Sequence, residues 1–247
     1  MKKQYISRLA FLSLTMVGLL WTHVSLGLAK KANKKRQKAP THQREGRRAN
    51  KSINDTQGEV TYTNRKLRNL TSRGYTRLEE VEVTGATKVV GYTQISDSRL
   101  NTVESWGGLS VKNSTVKGAL KTQGHFEVIS SNLENKVDVL GFLQAVKTNF
   151  LDDISVASNT VLLQDVTAND IYVRVVDTED KAYVEALPRQ PQMVILAGET
   201  LIQGSITFEA ENGIVMLGED AKVEGEVMGG TIKMLASQQD QTEASAS

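Results

Sequence analysis

The sequence predicts an all-β chain wound as a single-stranded parallel β-solenoid, and three observations carry that prediction. Glycines recur at Gly74, Gly91, Gly107, Gly124 and Gly141, at spacings of 17, 16, 17 and 17 residues, and Ser158 takes the next slot. Apolar residues hold fixed places behind each of them. Gly, Asn or Asp recurs at one further slot, as turn residues do. Composition agrees: aromatics are 5% of the 247 residues, there are three prolines, and Val, Thr, Ser, Asn and Gly dominate the middle, which is the chemistry of strands and turns.

Residues 1–29 open with Lys2, Lys3 and Arg8, continue as an apolar run from Leu9 to Trp21, and end "SLGLA". That order reads as a secretory signal peptide cleaved after Ala29. The rival reading is an uncleaved membrane anchor. The stretch to Ala29 is almost long enough to span, and the basic block after it would hold the rest of the chain in the cytoplasm. Thr22, His23 and Ser25 interrupt the apolar run and favour the signal peptide. Export to the periplasm, cell surface or medium is the expectation, and inner-membrane anchoring is the alternative. The chain has no cysteine, so lipid attachment through Cys and disulfide staples are both excluded.

Residues 30–55 read as a basic disordered arm. From Lys30 to Lys51 there are ten Lys/Arg against one Glu, a net +9, including Lys30, Lys31, Lys34, Lys35, Arg36 and Lys38; from Ser52 onward 17 face 27 acids, a net −10. With almost nothing apolar, the arm cannot bury enough surface to offset the entropy of ordering it. Its functional reading is attachment to an anionic envelope surface, nucleic acid or the acidic part of a neighbouring copy. Its plain reading is a solvated linker.

The solenoid is expected over 56–234. Four places after each coil start lie Leu78, Ile95, Val111, Val128, Ala145 and Leu162; nine places after lie Val83, Leu100, Val116, Leu133, Phe150 and Thr167. Only Thr167 is polar. The pairs Val137/Val139, Ile154/Val156 and Ile171/Val173 recur 17 apart with a strand's alternation. Gly85, Asn101, Gly118, Asn135, Asp152 and Asn169 share the turn slot, where a left-handed backbone is expected. A fainter copy starts at Gly58. A 17-residue unit has no core of its own, but units stacked about 4.8 Å apart pair each strand with its equivalent and pile like side chains inside.

Stacking also places polar residues. Ser98, Ser114, Ser131 and Thr148 share one position and predict a hydroxyl ladder. Asp152, Asp153 and Asp170 form an acidic ladder, eased by Lys136; two stacked carboxylates fall far short of the six to eight oxygens that calcium takes, so no metal site is expected. After Val176 the pattern breaks at "DTEDKAYVEALPRQP". The expected insertion, 177–191, puts Tyr183, Val184 and Leu187 on one helical face and is a candidate binding feature or a simple divider. Beyond it the unit lengthens to 20–21 residues, with Gly198 over Gly218 and Gly204 over Gly225. Residues 235–247 read as a frayed polar tail.

"VEGEVMGGTI", with Val223, Val227 and Ile232 separated by Gly225 and Gly229, is similar to the coil pattern of bactofilins, as are the unit length and the flanks around a central solenoid. The likeness spans roughly residues 74–234. It implies end-to-end or head-to-head polymerisation near a membrane. The export signal and long basic arm depart from that family, whose members look like cytoplasmic scaffolds. The chain also resembles exported bacterial β-solenoid proteins of no assigned activity, which fits the front end better.

Beyond the expected signal, the histidines are His42 in the arm and His125 in the repeat, and no hydrolase, zincin, phosphate-loop or dinucleotide motif occurs. His125 is expected to be an exposed turn residue. A carbohydrate-active lyase or hydrolase needs only acids and a basic residue, for which Asp152, Asp153 and Asp170 with Arg174 form the constellation; their plain reading is solvated turn charge. The expectation is a non-enzymatic envelope or surface scaffold without cofactor, which self-associates end to end or binds a carbohydrate or protein. The alternatives are a carbohydrate-active enzyme and a bactofilin-like anchored polymer.

Overall fold

The computed structural model describes residues 51–175 and 191–235. Every regular element among them is a β-strand, paired in parallel with its equivalent one turn away. One turn is made of three short strands, for example Phe126–Ile129, Asn132–Leu133 and Val137–Leu140. Three ladders therefore run the length of the stack, and about ten turns build it. The first 40 described residues, Lys51–Val90, are strand without a break but bend through left-handed corners at Asp55, Gly58, Asn64, Gly74 and Glu80, and so wind through the first turns. It includes the fainter early copy, because Gly74 sits directly on Gly58.

The register confirms the repeat. On the first face Thr76, Thr93, Leu109, Phe126, Leu143, Val161, Val194, Val215 and Ile232 lie in one column. Two residues further on, Leu78, Ile95, Val111, Val128 and Ala145 form the next. Leu100, Val116 and Leu133 line the second face with Phe150. Val137, Ile154 and Ile171 line the third, beside Val139, Val156 and Val173. All these residues face inward, and all those that are apolar are buried except the terminal Ile232. Alternation along each strand drives this, since every second side chain faces the interior.

Two expected core residues are displaced by one position. Ala145 pairs with Leu163, and Leu162 pairs outward with Gln144. Likewise Asn149 pairs with Thr167, so buried Ala168 is the residue that enters the core. The cause is a compensated insertion: the glycine corner gains a residue between Val156 and Val161, and the third corner loses one between Ala168 and Ile171. Ile154/Val156 and Ile171/Val173 thus keep their 17-residue interval, while everything between them slips by one. With Ala168 in place of Thr167, the second-face column has no polar residue at this turn.

The turn chemistry also differs from expectation. None of Gly85, Asn101, Gly118, Asn135, Asp152 and Asn169 has positive φ. Their corner favours Asn and Asp because a side-chain oxygen can accept a backbone N–H there: Ala86 N–H donates to Asn69 Oδ1 (2.9 Å), Lys136 N–H to Asn135 Oδ1 (2.9 Å) and Asp153 N–H to Asp152 Oδ1 (2.8 Å). The left-handed backbone occurs at the other two corners. One is the glycine corner, where Gly124 has φ +126°. The second is formed by Glu80, Asp97, Asn113, Ser130, Lys147 and Asp165, with φ of 48° to 55°, and then by Gly198.

The predicted hydroxyl ladder stands just after that second corner. The hydroxyls bond to backbone, not to each other. Ser98 N–H donates to Ser114 Oγ (3.0 Å) and Ser114 N–H to Ser131 Oγ (3.1 Å). Each hydroxyl in turn donates to the carbonyl two residues before it, as Ser114 does to Lys112 (2.7 Å). Val81 N–H starts the series on Ser98 Oγ and Val166 N–H continues it on Thr200 Oγ1. Buried backbone donors that the corner would orphan are thereby satisfied.

The stack resumes after the insertion. Thr160 pairs with Met193 and Gln164 with Ala197 across it. Its flanks are pinned: Gln192 Nε2 donates to the carbonyls of Ser158 (3.1 Å) and Arg174 (2.6 Å), and Val175 N–H donates to Glu209 (2.8 Å). The next interval is 21 residues, from Val194 to Val215 and from Ile206 to Val227. Gly204 lies over Gly225 as expected, but Gly218 follows Leu217, the partner of Leu196, and so stands beside Ala197 instead of Gly198. The final interval, Gly213 to Gly230, returns to 17.

Candidate functional site

The C-terminal end of the described stack is open. The strand Gly230–Met234 pairs by one edge with Gly213–Leu217. No strand among the described residues pairs with its other edge. The two first-face columns, fully buried through Val194 and Leu196, end here in Ile232 and Met234, which are 51% and 62% exposed. Beside them Val223 and Val227 are only partly covered. Unpaired backbone donors and acceptors above an uncovered apolar layer form a template for another strand layer.

The acidic ladder is assembled in part. Asp153 and Asp170 are neighbours in one column, because Ile154 pairs with Ile171. Their group is tied into the corners by the backbone: Asp152 Oδ1 holds Asp153 N–H, and Asp170 Oδ1 accepts Ser205 N–H (2.6 Å). No trio of His, Cys, Asp or Glu suited to a metal ion occurs among the described residues. Arg174 is engaged elsewhere, in an ion pair with Asp138 two turns earlier. The four residues of the carbohydrate-processing constellation therefore do not converge as one group. A cleft of about 450 Å³ lies at the glycine corner, lined by residues 140–142 and 157–160, none of which is titratable.

His125 departs from expectation. It is half-buried and its ring stacks on Phe142, with centroids 5.1 Å apart and planes 13° from parallel. Burial holds the imidazole below its ordinary pKa, with the Glu127 carboxylate pulling the other way. Tyr75 and Tyr92 stack in the same corner at 5.8 Å, and burial raises the Tyr92 phenol above its ordinary value, opposed by Gln94. The column is interrupted at Gly108, where a Cβ would lie 2.5 Å from the Tyr92 ring. The sequence signal was available: each of these residues directly follows a coil-starting glycine. Across the same corner Val90, Trp106 and Leu140 face solvent at 47%, 37% and 42% exposure.

Tyr183, Val184 and Leu187 of the insertion lie outside the described residues, as do the signal segment and Lys30, Lys31, Lys34, Lys35, Arg36 and Lys38 of the arm. Fold and surfaces define a parallel β-solenoid with an open terminal layer. No protein-family model, curated protein or solved structure matches the chain.

Proposed function

We propose that this protein is an exported, non-enzymatic scaffold of the bacterial envelope or cell surface that assembles end to end through its terminal layer. The observation that carries the reading is the exposure of Ile232 and Met234 at the top of columns that are buried through Val215 and Leu196, with Leu217 partly buried beneath Met234. Covering them with the end of a second copy removes two large apolar side chains from water and pairs an open strand edge, the two gains that hold successive turns together within the chain. The net +9 arm supplies an electrostatic tether to an anionic envelope surface.

The test is electron microscopy and sedimentation of the parent protein beside the Ile232→Lys/Met234→Lys variant. The parent is expected to form concentration-dependent filaments and the variant to stay dispersed with unchanged β-sheet circular dichroism. Dispersed parent protein, or filaments unaffected by the two lysines, overturns the reading. Mass spectrometry of the N-terminus separates export from anchoring: a chain beginning at Lys30 supports export, and a retained Met1 end supports the anchored polymer.

A further inference from the structure

The outward side of the third face carries a charge order that is complementary to its own reverse. Strand pairing places Lys88, Glu104, Lys121 and Asp138 in one column, one per turn. Two residues further along each strand, and so on the same side, stand Val90, Trp106, Gln123 and Leu140. The charged column reads plus, minus, plus, minus. A second copy laid face to face with its stack reversed reads minus, plus, minus, plus. Lys88 then meets Asp138 of the other copy, Glu104 meets Lys121, and each contact occurs twice. A copy laid down in the same direction places like charge on like charge.

We propose that two copies of this chain associate laterally and antiparallel through this face, about a two-fold axis running along the strands between the Glu104 and Lys121 turns. The axis superposes the apolar column on itself reversed, so Val90 covers Leu140 of the other copy and Trp106 covers Gln123. Four exposed side chains that each solenoid leaves in water are thereby paired in one step. The self-complementarity is that of an isologous contact, in which residue i meets j and j meets i. Lys88 and Glu104 already approach to 3.0 Å within one chain, and Asp138 already holds Arg174. The second copy extends these pairs into a network instead of building isolated ones.

Three steps of about 4.8 Å make the charged patch roughly 14 Å long, which belongs with small, weak interfaces. Such a contact gains strength by repetition when each partner is part of a polymer. It does not use the terminal layer, so it is separable from end-to-end assembly and is tested in the full-length Ile232→Lys/Met234→Lys chain.

The experiment is analytical ultracentrifugation of that chain, alone and with charge reversals. Lys121→Glu alone puts two acids opposite each other twice per dimer and is expected to weaken dimerisation at least about tenfold. Glu104→Lys with Lys121→Glu reads plus, plus, minus, minus, remains complementary to its reverse, and is expected to restore dimerisation. Direction is read with a short thiol cross-linker, since the chain has no cysteine of its own. Val90→Cys mixed with Leu140→Cys is expected to cross-link between chains, and neither alone. Monomeric parent protein, equal dimerisation of Lys121→Glu and parent, failure of the double reversal to rescue, or cross-linking of Val90→Cys to itself each overturns the proposal.

Discussion

Replacing Gly124 by alanine tests the layer spacing directly. Its φ of +126° is one that an L-residue rarely adopts, and a Cβ there would lie 2.5 Å from the carbonyl oxygen of Gly107 in the neighbouring turn. Relief requires the two turns to separate locally. That loosens the bonds flanking the corner, Gly107 N–H to Gln123 O at 2.7 Å and Leu109 N–H to His125 O at 2.8 Å. Backbone strain costs about 1–2 kcal/mol and the two hydrogen bonds about 1 kcal/mol each, so Gly124→Ala is expected to lose about 3–4 kcal/mol. Gly58 supplies the control: its φ is +89°, but a Cβ there meets nothing within 4 Å. Gly58→Ala should therefore lose only the strain of about 1–2 kcal/mol. Urea unfolding followed by circular dichroism reads both. Equal losses for the two variants would refute the claim that adjacent turns touch at the glycine corner.

Three more outcomes follow from the same geometry. Ser114→Ala removes the acceptor of the buried Ser98 N–H and the donor to Lys112 O; it should lose about 2 kcal/mol in urea unfolding, beyond a typical surface change. Because burial lowers the folded-state pKa of His125, the unfolded chain takes up the proton first. The burial of neutral His125 therefore contributes fully above its unfolded pKa of about 6.5, and that contribution declines as pH falls below it towards the lower folded value. His125→Phe should flatten the stability profile between neutral and mildly acid pH, measured by thermal unfolding across a buffer series. Deleting residues 176–191 joins Val175 to Gln192 and leaves five steps from Val173 to Val194, the same as from Val156 to Val161 one turn earlier. Melting within a few degrees of the parent is expected; loss of cooperative unfolding would show that the stack depends on the insertion.

Much of the fold was legible because stacking forces equivalent positions to solve the same problem. Val128 and Ala145 must be apolar because each roofs the other, and Ser98, Ser114 and Ser131 must offer oxygen because a left-handed corner leaves a backbone donor beside them. The slip at Leu162 was hidden because a residue gained at one corner and lost at another leaves the flanking valines in step. Asn135 and Asp152 misled because the same residue types suit both a left-handed turn and a side-chain acceptor. Of the candidate sites, the acidic column could be read from spacing alone. The open end could not, because an apolar Ile232 looks the same in sequence whether or not another layer lies on it. Nor could the reversed charge complementarity of Lys88 through Asp138, which exists only once the turns are laid in register.

The register itself is most directly measured with engineered cysteine pairs in this cysteine-free chain. Gln144 and Leu162 are outward partners in adjacent turns, at about the separation a disulfide spans. Gln144→Cys/Leu162→Cys is expected to oxidise rapidly within one chain, while Gln144→Cys/Val161→Cys, whose second thiol faces the core, is not. The opposite preference would mean that the turns do not lie over one another as described, and the solenoid surfaces on which both assembly proposals stand would be misplaced.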